Sequence, residues 1–218
     1  AAASGEDLGL VADVMTSALN SFGLEASESG RVADILAQGA NQSAASVDDM
    51  GYAFKYAAPI ANQLGISIEE LSASVGLMVD KGMKGEQAGT TLRAAFLRLV
   101  DPPKSAREAL NELGVEITDS DGKMKSLSEI IKQLNKSTDG LTDAQKSAIV
   151  STIFGTEATS GMLSLMESGP EKIKKMTTAL EESGGASKKA ADEMLDGWAG
   201  SLTKMESSLD VATKSLVN

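Results

Sequence analysis

The sequence contains neither cysteine nor histidine among its 218 residues. Without cysteine these residues offer no disulfide, no thiol nucleophile and no thiolate metal ligand. The lack of histidine excludes Ser-His-Asp triads, zinc hydrolases of the HExxH type and most transition-metal sites. We therefore predict no catalytic residue, no metal and no cofactor in this chain.

Aromatic residues are also scarce, at 3% of the sequence, whereas hydrophobic residues reach an ordinary 42%. The core must then be built from Ala, Leu, Val, Ile and the 10 methionines, which suits closely approaching helices. No apolar run approaches the roughly 20 residues of a membrane span, and no signal peptide is visible. We expect no membrane-spanning segment.

Basic residues are outnumbered by acidic ones, 20 to 31, giving a net charge of −11. Binding to phosphates requires clustered Lys and Arg side chains. The charge balance therefore argues against a direct nucleic-acid partner, and acidic helix faces are more often simply solvated.

Helix signals dominate the first 113 residues. Apolar residues recur at helical spacing, and three helices are predicted to stop at Gly23, Gly65 and Gly114, each followed by an apolar residue, as in a Schellman motif. Ser46 with Asp49 and Ser67 with Glu70 are predicted to form capping boxes. The glycines at 82, 85 and 89 indicate a flexible helix boundary.

A short stretch after Gly114 has the period of a strand pair. Val115 and Ile117 alternate with polar residues, Asp121-Gly122 is a turn signal, and Met124 returns to the same side. This predicts one small β-hairpin at about residues 115–125. The fold class is therefore all-α, a multi-helix bundle of helical hairpins with this hairpin and a long C-terminal heptad helix.

The last segment carries a seven-residue repeat, which is typical of a coiled coil. Its candidate oligomer seam consists of Leu195, Trp198, Leu202, Met205, Leu209 and Leu216. Gly184-Gly185 is a predicted hinge, so we divide the chain into a helical core domain, residues 1–184, and a coiled-coil-prone helix, residues 186–218. The repeat does not determine the number of strands, and the helix packing on its own domain remains an equal alternative.

Three runs of the sequence carry a family resemblance: KGEQAGTTLRAAFLRL, LGVEITDSDGKMKSLSEIIKQL and IVSTIFGTEATSGMLSLM. Together with the stretches upstream, from about Leu8 to about Ser168, they resemble the core region of phage tail tape measure proteins. Because the chain starts at Ala1 without Met and ends within a predicted helix, we expect a fragment of a longer protein.

The resemblance implies a structural component of a phage or prophage virion. Tape measure proteins lie inside the tail tube while it polymerises, and so set tail length and template tube assembly. The partners implied are further copies in a small parallel oligomer, the tail tube protein, tail assembly chaperones and tail tip proteins. The implied location is the lumen of the tail tube, and the host cytoplasm during assembly. A version from a contractile injection system is equally compatible with the sequence.

A second class is a tail-associated, cell-wall-degrading module resembling a lytic transglycosylase. Glu-Ser dipeptides, typical of those enzymes, start at residues 28, 167, 182 and 206, but they are scattered in polar contexts. A catalytic glutamate needs an apolar pocket, usually with aromatic sugar platforms. One Trp, two Tyr and four Phe argue against such a cleft, so we predict that the chain is not an enzyme.

Overall fold

The computed structural model describes residues 7–193, and within that range it is all-helical, with ten complete α-helices, a further helical segment at residues 186–193, one 3-10 helix and no strand. The α-helices are α1 (Leu8–Phe22), α2 (Ser29–Gln42), α3 (Val47–Gln63), α4 (Ile68–Asp80), α5 (Gly85–Val100), α6 (Lys104–Leu113), α7 (Leu127–Ser137), α8 (Asp143–Phe154), α9 (Thr159–Ser168) and α10 (Pro170–Glu181). The 3-10 helix, Ala26–Glu28, precedes α2. The predicted all-α class is confirmed.

Helix α4 is the axis of the fold. Every residue from Ile68 to Met78 is buried, because α2, α3, α5, α9 and α10 all pack against this helix. Its buried hydroxyls bond within the helix: the Ser72 hydroxyl donates to the Ile68 carbonyl (2.7 Å) and the Ser74 hydroxyl to the Glu70 carbonyl (2.8 Å). Intrahelical bonding of this kind allows polar side chains to be buried without an unsatisfied donor.

The predicted glycine stops are confirmed. Gly23, Gly65 and Gly114 have φ of 64°, 75° and 66°, the left-handed region that favours glycine. After Gly114, the Val115 amide donates to the Leu110 carbonyl at 2.9 Å, and the equivalent bonds at the other two ends are 2.8 and 2.9 Å. These are the long hydrogen bonds of Schellman motifs.

Two glycines of α5 form its contact with α3 rather than a flexible boundary. A Cβ added at Gly89 would lie 2.6 Å from the Cα of Ala53, and one at Gly85 would overlap the backbone of Asp49. Both glycines are buried. The interpretation as a loose boundary was wrong for these two positions, because the missing side chains let two helix backbones touch.

The predicted β-hairpin is reduced to one isolated antiparallel bridge, between Thr118 and Met124. The Asp119 carboxylate closes the intervening loop by accepting from the amides of Asp121 and Lys123, both at 2.9 Å. Two backbone hydrogen bonds also join the arms, from the Asp119 amide to the Lys123 carbonyl (2.8 Å) and from the Lys125 amide to the Ile117 carbonyl (2.9 Å), but they flank only one bridge pair. The prediction of a strand pair was wrong, although the chain does reverse direction there.

The predicted C-terminal heptad helix falls mostly outside the described residues. Residues 186–193 are helical. All six positions of the predicted oligomer seam belong to 194–218, beyond the described range, so the seam stays a prediction.

Candidate assembly site

Residues 7–193 contain no group of three or more acidic side chains placed to hold a metal ion. Over the same residues, no helix is both long enough and apolar enough to span a bilayer.

The glutamates of the Glu-Ser dipeptides lie apart on the surface. Glu28 pairs with Arg31 on the next turn at 2.7 Å, and Glu167 pairs with Lys81 at 3.0 Å. Glu182 is exposed just after α10, and the fourth glutamate lies outside the described residues. The structure therefore does not bring these residues together.

The distinctive polar feature of the domain is a set of three carboxylates that cap helices other than their own. Asp34 of α2, Asp49 of α3 and Glu70 of α4 each accept hydrogen bonds from backbone N–H groups at the start of a later helix. The first N–H groups of a helix have no intrahelical partner and carry partial positive charge. We call these three side chains the cross-helix caps.

Asp49 joins the starts of α3 and α5. Its Oδ1 accepts from the Gly85 amide at 2.8 Å, and its Oδ2 accepts from the amide (3.1 Å) and hydroxyl (2.8 Å) of Ser46. Ser46 in turn accepts from the Asp49 amide, which confirms the predicted capping box. Burial opposes ionisation, but the hydrogen bonds from Gly85 and Ser46, helped by the charge of Lys84, hold the pKa of Asp49 below its usual value.

Glu70 joins the centre of the domain to α7. Its side chain is buried, and Oε1 accepts from the Leu127 amide at 2.6 Å. Burial raises the pKa of Glu70, and the hydrogen bonds from the amides of Leu127 and Ser128 only partly offset that rise. The capping box of Ser126 and Glu129 at the start of α7 satisfies the amides of these two residues, and Glu70 satisfies the Leu127 amide between them.

The capping box predicted between Ser67 and Glu70 is therefore only half formed. The Ser67 hydroxyl accepts from the Glu70 amide at 3.1 Å, as predicted. The Glu70 carboxylate does not return to Ser67, because it turns to α7 instead. No local spacing in the sequence distinguishes this outcome from a complete box.

Asp34 caps the start of the helix at residues 186–193. Its Oδ2 accepts from the Gly185 amide at 2.8 Å, and its Oδ1 accepts from the amide (2.9 Å) and hydroxyl (2.5 Å) of Ser187. Burial of the carboxyl favours its neutral form, but the bonds from Ser187 and Gly185 lower the pKa of Asp34 overall. The predicted hinge glycine thus has its amide bound to a residue 151 positions earlier.

Taken together, the described residues define an all-helical structural module whose later helices are held by carboxylates of α2, α3 and α4. Residues 1–155 match the family model described as phage-related minor tail protein. The family model matches more than half of the chain, and the chain therefore belongs to the phage-related minor tail protein family. It is a phage tail protein, and so a protein of the virion.

Two curated relatives carry more specific names. The chain is 44% identical over 205 residues to the "Tape measure protein" of Pneumococcus phage Dp-1, an alignment that covers 94% of the chain. It is 34% identical over 150 residues, 67% of the chain, to the "Probable tape measure protein" of Escherichia phage P2. The resemblance to tape measure proteins is thereby confirmed.

The matched region spans only 18% of the length of each of these relatives. No solved structure matches the chain significantly.

Proposed function

We propose that this chain is a folded assembly module of a tail tape measure protein that sets tail length and templates tube assembly. In this proposal the length-setting part lies in sequence beyond the module. The relative that matches over 94% of the chain supports the tape measure role. The compact helical core supports the distinction between a folded module and the length-setting part of the protein, which we call the ruler.

The difference in length between a helical rod and a compact domain supports that distinction. A continuous α-helix rises about 1.5 Å per residue, so residues 7–193 would span about 280 Å as a rod. A compact domain of that size is about 40 Å across. Helix α4 is enclosed by five other helices, and three helices end at left-handed glycines. The module therefore contributes far less length than its residue count would as a rod.

The partners follow from the same role. We propose that copies of the protein associate in parallel through the seam from Leu195 to Leu216, and that the module contacts the tail tube protein, tail assembly chaperones and tail tip proteins. Its place in the virion would be the lumen of the tail tube, after assembly in the host cytoplasm. The heptad spacing of the leucines supports the parallel seam.

The assembly role is tested by unfolding the module without changing the length of the chain. Gly89→Leu places a side chain against the backbone of Ala53, so it should disrupt the contact of α3 with α5. Gly30→Leu is the matched control, because a Cβ at Gly30 meets nothing within 4 Å. We expect the Gly89 variant, in the full-length protein, to reduce the number of assembled tails at unchanged tail length.

Circular dichroism of the purified chain establishes which variant is unfolded, and electron microscopy counts and measures the tails. Normal tail numbers with an unfolded module would contradict the assembly role. Normal tails in the Gly30 control show that a leucine alone is tolerated.

The seam is tested by Leu202→Asp combined with Leu209→Asp, since charges on a heptad seam separate its helices. We expect sedimentation velocity to show a smaller particle while circular dichroism still shows a folded core. An unchanged mass would mean that the heptad helix packs on its own domain.

The cell-wall hydrolase considered from the sequence is favoured by no feature of residues 7–193. Glu70, the glutamate whose pKa is raised by burial, is engaged with the start of α7. We expect that purified protein does not clear a peptidoglycan layer. Clearing of that layer would support the cell-wall hydrolase instead.

A further inference from the structure

The helix that begins at residue 186 has no capping side chain of its own. The Lys189 amide donates to the Gly185 carbonyl at 3.0 Å, which makes Gly185 the N-cap residue, and glycine has no side chain to accept from the first turn. A local capping box would satisfy the amide of the N-cap residue and an amide of the first turn. Asp34 supplies both acceptors instead: it accepts from the amide of the N-cap residue Gly185 and from the Ser187 amide in the first turn.

Asp34 is itself firmly placed. It lies in the middle of α2, whose neighbouring residues Val32, Ile35 and Leu36 are buried in the core. One turn earlier, the Arg31 guanidinium donates two hydrogen bonds to the buried Glu69 carboxylate of α4. The acceptor at Asp34 is thus fixed relative to the central helix.

The three hydrogen bonds also fix a direction. Two oxygens of one carboxylate engage the amides of two residues that lie two positions apart at the start of the helix, together with the Ser187 hydroxyl. A single hydrogen bond would let the new helix pivot, whereas two divergent ones restrict both its tilt and its rotation. Gly185, with φ of 84°, provides the backbone turn that presents both amides to Asp34.

We propose that Asp34 is a positioning residue that clasps the start of the helix at residues 186–193 and fixes the direction of that helix relative to the core. In a parallel oligomer this clasp would set how the core modules are arranged around the seam. The clasp stands on contacts within the described residues, and only its use in arranging the modules rests on the proposed function.

The test uses the absence of cysteine from the natural sequence. Cysteines introduced at Arg93 of α5 and Lys188 of the new helix, both exposed, carry spin labels for pulsed distance measurements. The chain without further changes should give one narrow distance distribution. Asp34→Ala should broaden it, and hydrogen exchange at the Ser187 amide should quicken about fivefold, the usual effect of losing an N-cap.

Matched variants separate the clasp from general damage. Asp13→Ala removes an exposed aspartate of α1 and should leave the distribution narrow. Ser187→Ala removes one of the three hydrogen bonds and should broaden it less than Asp34→Ala does. If Asp34→Ala unfolds the core in circular dichroism, Asp34→Asn decides, because it keeps only one of the two acceptor oxygens that bind the Gly185 and Ser187 amides, and an unchanged distribution then overturns the proposal.

An equally narrow distribution in a folded Asp34→Ala chain would also overturn the clasp, as would a broad distribution in the parent chain. Sedimentation velocity on the same samples reports the oligomer separately. A monomeric parent chain with a narrow distribution would contradict the proposed seam while supporting the clasp. In an oligomer, labelled chains are diluted with unlabelled ones to remove distances between chains, and a distribution that stays broad then contradicts the clasp alone.

Discussion

Glu70 and Asp34 perform the same chemical task in two different regions of the molecule. Each accepts from backbone amides at the start of a distant helix. Glu70 does so in the interior, where its residue is 8% exposed, whereas Asp34 does so at the half-buried edge of α2. The interior cap joins helices within the core, and the peripheral cap binds the start of the helix at residues 186–193.

The pKa values of the two groups move in opposite directions for this reason. Burial dominates at Glu70 and raises its pKa, while at Asp34 the hydrogen bonds outweigh a smaller burial and lower it. From this comparison we infer that a carboxylate cap in the centre of a fold, such as Glu70, contributes to overall stability. A carboxylate cap at the edge, such as Asp34, orients the helix that it caps.

The largest expected effect is that of Glu70→Ala. It leaves the Leu127 amide without its acceptor and opens a cavity beside α4, so we expect a loss of about 3 kcal/mol in the free energy of unfolding. Asp34→Ala should lose about 1 kcal/mol, the usual cost of an N-cap. Urea denaturation of both variants measures the difference, with Glu182→Ala as an exposed control. Equal losses in the free energy of unfolding for Glu70→Ala and Asp34→Ala would contradict the distinction between the interior and the peripheral cap.

Glu70→Gln should behave very differently from Glu70→Ala. The amide oxygen still accepts from α7, and the buried charge is removed, so we expect a free energy of unfolding within about 1 kcal/mol of the parent at pH 7. The same urea measurement checks it. A loss as large as that of the alanine variant would show that the charge, rather than the hydrogen bonds, holds α7.

The two caps should respond to pH with opposite signs. The pKa of Glu70 is raised by folding, so its contribution to stability is fully present at acid pH and is lost as pH rises through the folded-state value. The pKa of Asp34 is lowered, so its contribution is present above about pH 4 and is lost as pH falls through the folded-state value.

Urea denaturation between pH 2.5 and pH 8 on the parent, Glu70→Gln and Asp34→Asn chains tests these signs. The parent should gain stability relative to Glu70→Gln as pH falls, and should lose its advantage over Asp34→Asn over the acid range. Curves that keep constant separations would contradict both assignments.

The smallest expected effect is that of Ser187→Ala on overall stability. The two amide bonds to Asp34 remain, so we expect the free energy of unfolding to fall by about 0.5 kcal/mol or less. Urea denaturation against the parent chain measures it. A loss as large as that of Asp34→Ala would place the peripheral cap among the elements that hold the core together.

Local signals account for what the sequence predicted correctly. A left-handed glycine followed by an apolar residue marks a helix end within six residues, as at Gly23 and Gly114. The capping box of Ser46 and Asp49 likewise lies within one turn. These signals, with the apolar period, were enough for the all-α class and for the three helix ends at Gly23, Gly65 and Gly114.

The cross-helix caps were beyond such reasoning because their hydrogen bonds join residues 36 to 153 positions apart. A carboxylate at the third position of a helix fits a local box and a distant cap equally well, as Asp49 and Glu70 show. The role of Gly85 and Gly89 was likewise unpredictable from local sequence, since a glycine indicates either a flexible backbone or a closely packed neighbour. Only the position of α3 distinguishes the two.

The central claim is that the described residues form a compact assembly module of a tape measure protein and not a part of its ruler. The most direct test is an in-frame tandem duplication of residues 7–193 in the full-length protein, with tail lengths measured by electron microscopy. We predict tails longer by no more than about 40 Å, the width of one folded module. Tails longer by about 280 Å, the length of the same residues as a helical rod, would contradict the account.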